Sequence, residues 1–170
     1  YHDIDKRNFS KLYEQLKILK KDWNFITPEE FENHLKNKKK LIGKNLIITF
    51  DDGFKSNYTV AKKILKKFNI KAIFFVPSDF IKIKSKKKAA SFAKKNILDN
   101  ISMNVIEGDC LNISIKNLKS LIKLGHKIGS HSKSHAHLGS IKDNNKLKLE
   151  ILKSGNALEK LLNVEIKHFA

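Results

Sequence analysis

The chain has 170 residues, enough for one domain with a real core. Its 35 Lys+Arg against 17 Asp+Glu give a formal charge of +18, yet Arg7 is the single arginine. A lysine excess spread along the whole chain argues against nucleic-acid readers, which recruit Arg for its bidentate fork, and fits a solvated basic surface or an anionic-polymer partner. No stretch approaches the ~18 apolar residues of a membrane span, and Cys110, alone, excludes an internal disulfide and a Cys-based zinc site.

The elements are read in chain order. "NFSKLYEQLKILKKDW" predicts an amphipathic helix with Leu12, Leu16, Leu19 and Trp23 on one face. "TPEEFENHL" predicts a second, with Thr27 as N-cap, Pro28 in the first turn and Glu30 closing a capping box. "NLIITF" (45–50) reads as a buried strand. "SNYTVAKKILKKFN" reads as a helix with Val60, Ile64, Leu65 and Phe68 inward, and "IKAIFFVP" (70–77) as another buried strand, with Phe74 and Phe75 in the core. Strand, helix and strand within about 30 residues make a βαβ unit with parallel strands.

Residues 81–100 are Lys-dense without a clear period, so an exposed excursion with at most a helical turn is expected there. "SIKNLKSLIKLG" predicts a helix capped by Ser114 and ended by Gly125. "HKIGS" predicts a short strand, and "KDNNKLKLEILKSGNALEKLLN" a long helix with Leu147, Ile151, Leu158 and Leu162 inward. "VEIKHFA" begins one more strand. The alternation defines the fold class as α/β with a parallel sheet.

Two clusters carry chemistry. Asp51 and Asp52 follow the strand 45–50 directly, at the C-terminal end where parallel α/β sheets gather functional groups. Strand neighbours point to opposite faces, so the two converge only if the chain turns at once, which Gly53 permits. Adjacent carboxylates raise one another's pKa unless a cation binds one of them. A metal ion would take one as ligand and leave the other to handle protons. "GSHSKSHAHL" (129–138) ends another strand and holds His131, His135 and His137. His131 and His135 are four apart, and a helical turn would put both imidazoles on one side. Two His and one Asp form a three-ligand site for Zn²⁺ or a similar divalent ion, with positions open for water and substrate. The serines between them can steady the turn. The other histidines, His34, His126, His137 and His168, read as structural or solvent-facing. The same donor set also describes non-haem Fe(II) enzymes, an alternative that the βαβ context and the paired acids disfavour.

"TFDDG" (49–53) and "HSKSH" (131–135) resemble the first and second motifs of the polysaccharide deacetylases, the NodB homology domain of carbohydrate esterase family four. "YHDID", "ILKKFNIKAIFFVPSDFI", "LIKLGHKIGSHSKSH" and "LKSGNALEKLLNVEIKHFA" read like the same family. The likeness covers nearly the whole chain as a single domain, with 82–110 as an insertion. It implies a distorted (β/α) barrel. It also implies Asp51 as general base and Asp52, His131 and His135 as ligands of a divalent ion, Zn²⁺ first, with Co²⁺, Ni²⁺ or Fe²⁺ as alternatives. The implied reaction removes acetyl groups, most often N-acetyl from aminosugars, from an acetylated polysaccharide of the cell envelope or outside the cell. The family's third motif, aromatic-Pro-aromatic-Gly, would start after Ala170, and later motifs bring the general-acid His. A complete eight-unit barrel takes ~250 residues, so the expectation is the N-terminal part of a catalytic domain. His2 is expected to line the site without a role in the chemistry. A degenerate domain that binds glycan or metal without turnover is the non-enzyme alternative.

Overall fold

The computed structural model describes residues 1–98 and 111–170. Among the described residues five short strands are interspersed with seven α-helices and four short 3₁₀ or π segments. Helix α1 (Phe9–Asp22) buries Leu12 and Leu16 and half-buries Leu19. Trp23 leaves the predicted face: it is the extended residue after the helix and is 38% exposed. After β1 (Asn24–Phe25), helix α2 (Pro28–Leu35) starts as predicted. The Thr27 side chain accepts from the Glu30 amide, and the Glu30 carboxylate accepts from the Thr27 amide, so two otherwise orphaned donors are satisfied together.

The run 45–50 is not one strand. β2 (Asn45–Leu46) pairs with β1, and β3 (Ile48–Phe50) pairs with β4 (Ala72–Val76). Ile47 lies between, so one apolar run serves two sheets. Helix α3 (Lys55–Val60) continues through a π-helical stretch, Ala61–Leu65, into α4 (Lys66–Phe68), with Val60, Ile64 and Leu65 buried. The βαβ unit is therefore real, and its strands are parallel, with Phe50 opposite Phe74. β5 (Lys127–Ser130) adds on the far side of β4 in parallel, giving the order β3-β4-β5. Gly129 permits that approach: a Cβ there would lie 2.4 Å from the Phe75 ring.

Both edges of this sheet are extended by single chain segments. The Asp51 amide donates to the Tyr1 carbonyl at 2.8 Å. On the other edge the Ser130 amide donates to the His168 carbonyl and the Ala170 amide to that of Ser130. The strand expected from 164 onward is thus confined to a parallel bridge at Phe169. The expected barrel takes the form of two parallel sheets, and they do not close among the described residues. Every residue of β4 is buried, as a strand covered on both faces must be. Stacked rings of Tyr1, Phe50 and Phe74, with centroids 5.5 Å and 5.1 Å apart, run through the core. His126 packs edge-on to Phe74 and its Nδ1 accepts from the Ala72 amide. Burial, aided by nearby Lys71, holds its pKa down to about 4, so it is a neutral structural imidazole.

The Lys-dense stretch departs from its reading. Helix α5 (Lys86–Asn96), capped by Ser85, buries Ala89 and Ala93 fully against Phe54 and Phe80. Five lysines hide the one-turn spacing of those alanines, and the helix is a packed element. The rest of the expected insertion, including Cys110, lies largely outside the described residues. Helices α6 (Ile115–Lys123) and α7 (Asn144–Leu162) complete the fold, with Gly125 at φ +85° after α6. Of the four inward residues expected of α7, Leu158 and Leu162 are buried and Leu147 and Ile151 are half-buried.

Candidate metal centre

The paired carboxylates sit where β3 stops. Asp51 is held by its backbone: its amide bonds Tyr1, and its carbonyl accepts from the Gly53 amide and from the Asn57 side chain. Asp52 and Gly53 then both take left-handed φ, +69° and +70°. Asp tolerates that region better than most residues and Gly adopts it freely. The Gly53 carbonyl accepts from Ile113, and Phe54 bridges Asn112, whose buried amide donates to Phe80 and Ile83 carbonyls. The turn brings both carboxylates to one imidazole. His2 Nδ1 lies 3.0 Å from Asp52 Oδ2, and His2 Nε2 lies 3.9 Å from Asp51 Oδ2. Asp51 Oδ1 is buried with no hydrogen-bond partner among the described residues.

The other half of the site follows β5. His131 and His135 converge, with ring centroids 4.9 Å apart, but not on a helical turn. Ser132 and His135 adopt φ +58° and +61°, so the segment is a loop that doubles back on itself. Its backbone is tied to the loop after β4, where the Ser78 and Asp79 amides donate to the Ser132 and Lys133 carbonyls. Asp52 Oδ1 lies 3.5 Å from His131 Nε2 and 3.2 Å from His135 Nε2. These three ligand atoms all lie within 4.8 Å of one another.

The protonation pattern fits a cation. His131 Nδ1 is 2.6 Å from the Ala170 carbonyl and His135 Nδ1 is 2.6 Å from the Asn96 carbonyl. A carbonyl only accepts, so each Nδ1 carries a proton and each ring presents its Nε2 to the carboxylate. Three electron-rich atoms facing one another repel unless a proton or a metal lies between. Such carbonyl bonds are the usual way that metal-binding imidazoles are oriented. Tetrahedral ligands at the bond lengths of zinc stand about 3.3 Å apart, close to the two separations found. Burial raises the Asp52 pKa, but hydrogen bonds from His131, His135 and His2 outweigh it and hold the carboxyl well below the usual carboxylate range. The bond to Asp52 raises the His135 pKa in turn, against the opposing effect of burial. Asp52, His131 and His135 could therefore hold a divalent ion.

A groove of ≈ 520 Å³ opens beside the triad, lined by Lys95, Asn96, His131, His135, His137 and Leu138 among others. His137 itself is turned to Ser140 Oγ, 2.8 Å away, and lies outside the triad. A second groove of ≈ 520 Å³, bounded by Glu32, Lys71, His126 and His168, lies where the strands begin. Chemistry favours the first, since no group of metal-ligand atoms among the described residues lines the second. His168 is bonded to Glu32 there, at 2.9 Å, and His34 is exposed on α2. His2 lines the site as expected, placed by the Tyr1 pairing to β3, whereas the Asn96 carbonyl, presented by α5, escaped the reading of the residues. The alanine spacing in "KKKAASFAKKN" was the available signal for it.

The sequence profile of the polysaccharide deacetylase family matches residues 38–170. The chain belongs to that family. YxkH of Bacillus subtilis (strain 168), assigned to the polysaccharide deacetylases, is 43% identical over 51 residues, which are 30% of this chain and 18% of that relative. The fold is similar to that of the Streptococcus pyogenes deacetylase PplD, solved in complex with acetate, and of IcaB from Ammonifex degensii. Each gives a TM-score of 0.70 at 22% identity, over 99% of this chain and 70% of the other. A de-N-acetylase from Aggregatibacter actinomycetemcomitans aligns with a TM-score of 0.69 at 16% identity, over 93% of this chain and 66% of the other.

Proposed function

We propose that the protein hydrolyses acetyl groups, N-acetyl on aminosugars first, from a polysaccharide outside the cytoplasmic membrane, using a divalent ion held by Asp52, His131 and His135. The convergence of those three ligand atoms, with both imidazoles oriented by carbonyls, carries the reading. Family membership supports it over the Fe(II) alternative, which shares the donor set. When bound, the ion would supply a Lewis acid for the acetyl carbonyl and for water, and Zn²⁺ suits this donor set. Asp51 is the general base: it stands outside the three-ligand group, and its 23% exposed side chain can take a proton from the attacking water. The C–N bond then breaks, and the leaving amine needs a proton. His2 is the group that the geometry offers, an imidazole with a 68% exposed side chain against both carboxylates. The proposal gives His2 a role in the chemistry that the residues alone did not suggest.

Acetate release from N-acetylglucosamine oligomers tests the reading. Asp51→Asn should bind Zn²⁺ like the wild type and lose turnover. His2→Gln should slow amide hydrolysis and spare an activated ester, whose leaving group needs no proton. Undiminished turnover in Asp51→Asn would defeat the base assignment.

A further inference from the structure

The loop carrying the two histidines is templated by one face of α7. Glu150, half-buried in the second turn of that helix, does not turn outward to the surrounding lysines. Its Oε2 accepts from two consecutive amides, Lys133 at 2.9 Å and Ser134 at 2.8 Å, and its Oε1 accepts from Ser134 Oγ at 2.8 Å. Consecutive amides converging on one oxygen form a concave anion-binding nest. One turn further along α7, the fully buried Ser154 donates its hydroxyl to the Ser132 carbonyl at 2.7 Å and accepts from Ser130 Oγ at 3.0 Å. Residues 150 and 154 share a helix face. Between them they engage every residue from 130 to 134 except His131.

We propose that Glu150 is a positioning residue that sets the His131–His135 loop in its cation-binding shape; the inference rests on the metal-centre reading above. The loop holds Ser132 and His135 in left-handed conformations that side-chain-bearing residues avoid unless their surroundings impose them. The nest imposes them from the middle. The Ser134 peptide leads directly into His135, so releasing its amide lets that imidazole swing away from Asp52. A carboxylate suits the task because its charge strengthens all three bonds.

The test is Co²⁺ binding, followed by calorimetry and visible absorption, in the wild type, Glu150→Gln and Glu150→Ala. Thermal unfolding of the metal-free proteins and amide exchange at Lys133 and Ser134 are measured alongside. Glu150→Ala should weaken Co²⁺ binding about 10- to 100-fold, the range for groups that orient metal ligands. It should also change the absorption band that reports coordination geometry and speed exchange at both amides. Glu150→Gln keeps an acceptor oxygen without the charge and should fall between, so it decides the matter if the alanine variant does not fold. Wild-type affinity in Glu150→Gln, or a lowered melting temperature with unchanged affinity in both variants, overturns the proposal. No Co²⁺ uptake by the wild type overturns instead the metal-centre reading beneath it.

Discussion

The two arms of the centre are built in opposite ways. The carboxylate arm centres on a local turn: β3 ends, Asp52 and Gly53 turn left-handed, and Asn57, six residues on, fixes the Asp51 carbonyl, while Tyr1 and Ile113 pair with its two ends. The imidazole arm is assembled from a distance. His131 leans on the Ala170 carbonyl, 39 residues later, and His135 on the Asn96 carbonyl, 39 residues earlier. Glu150 and Ser154 shape the chain between them. A turn of a few residues survives small changes elsewhere, whereas an imidazole aimed by a remote helix inherits every weakness in that helix's docking.

Removing a donor is the largest perturbation. Asp52→Ala should abolish measurable Zn²⁺ binding by calorimetry, because the atom facing both imidazoles is gone. The comparison sharpens with Ala93→Glu, which puts a charge into the wholly buried face of α5 and displaces the carbonyl that orients His135. Zn²⁺ affinity should fall about 10- to 100-fold while the Asp52 turn stays intact. Wild-type affinity in that variant would show that His135 needs no remote support. A smaller effect is expected on the local arm. Gly53→Ala adds a Cβ 3.1 Å from Val76 at φ +70° and should cost about 1 kcal/mol in urea unfolding.

The smallest effect is the pH dependence of the metal-free protein. The Asp52 pKa is lowered in the fold, so its contribution is complete above its unfolded value of 3.8 and is lost as pH falls through the folded one. The His135 pKa is raised, so its contribution is complete below 6.5 and is lost as pH rises through the folded value. The stability difference between wild type and His135→Gln, from urea midpoints in chelator, should therefore be larger at pH 5.5 than at pH 8.5. The reverse order would contradict the pairing of His135 with Asp52.

What was legible in the sequence follows the same division. The capping box of α2 and the Asp-Asp-Gly turn are set mainly by neighbours within a few residues, and each formed where the pattern put it; the βαβ unit was legible from its strand–helix–strand alternation. The HxxxH spacing announced a pair of imidazoles, but its premise of a helical turn gave way to a loop shaped by α7. Nothing local to 131–135 encodes that loop, because Glu150 and Ser154 impose it. α5 was hidden because its lysines dominate the composition while two alanines do the packing. The division of 45–50 between two sheets is likewise set by which partner lies opposite, Leu46 against Phe25 and Phe50 against Phe74.

Anomalous diffraction at the zinc edge, from crystals grown with Zn²⁺, tests the central claim most directly. The account predicts one peak within about 2.0–2.2 Å of Asp52 Oδ1, His131 Nε2 and His135 Nε2. An ion seated elsewhere, or none at these atoms with the site fully formed, would contradict it.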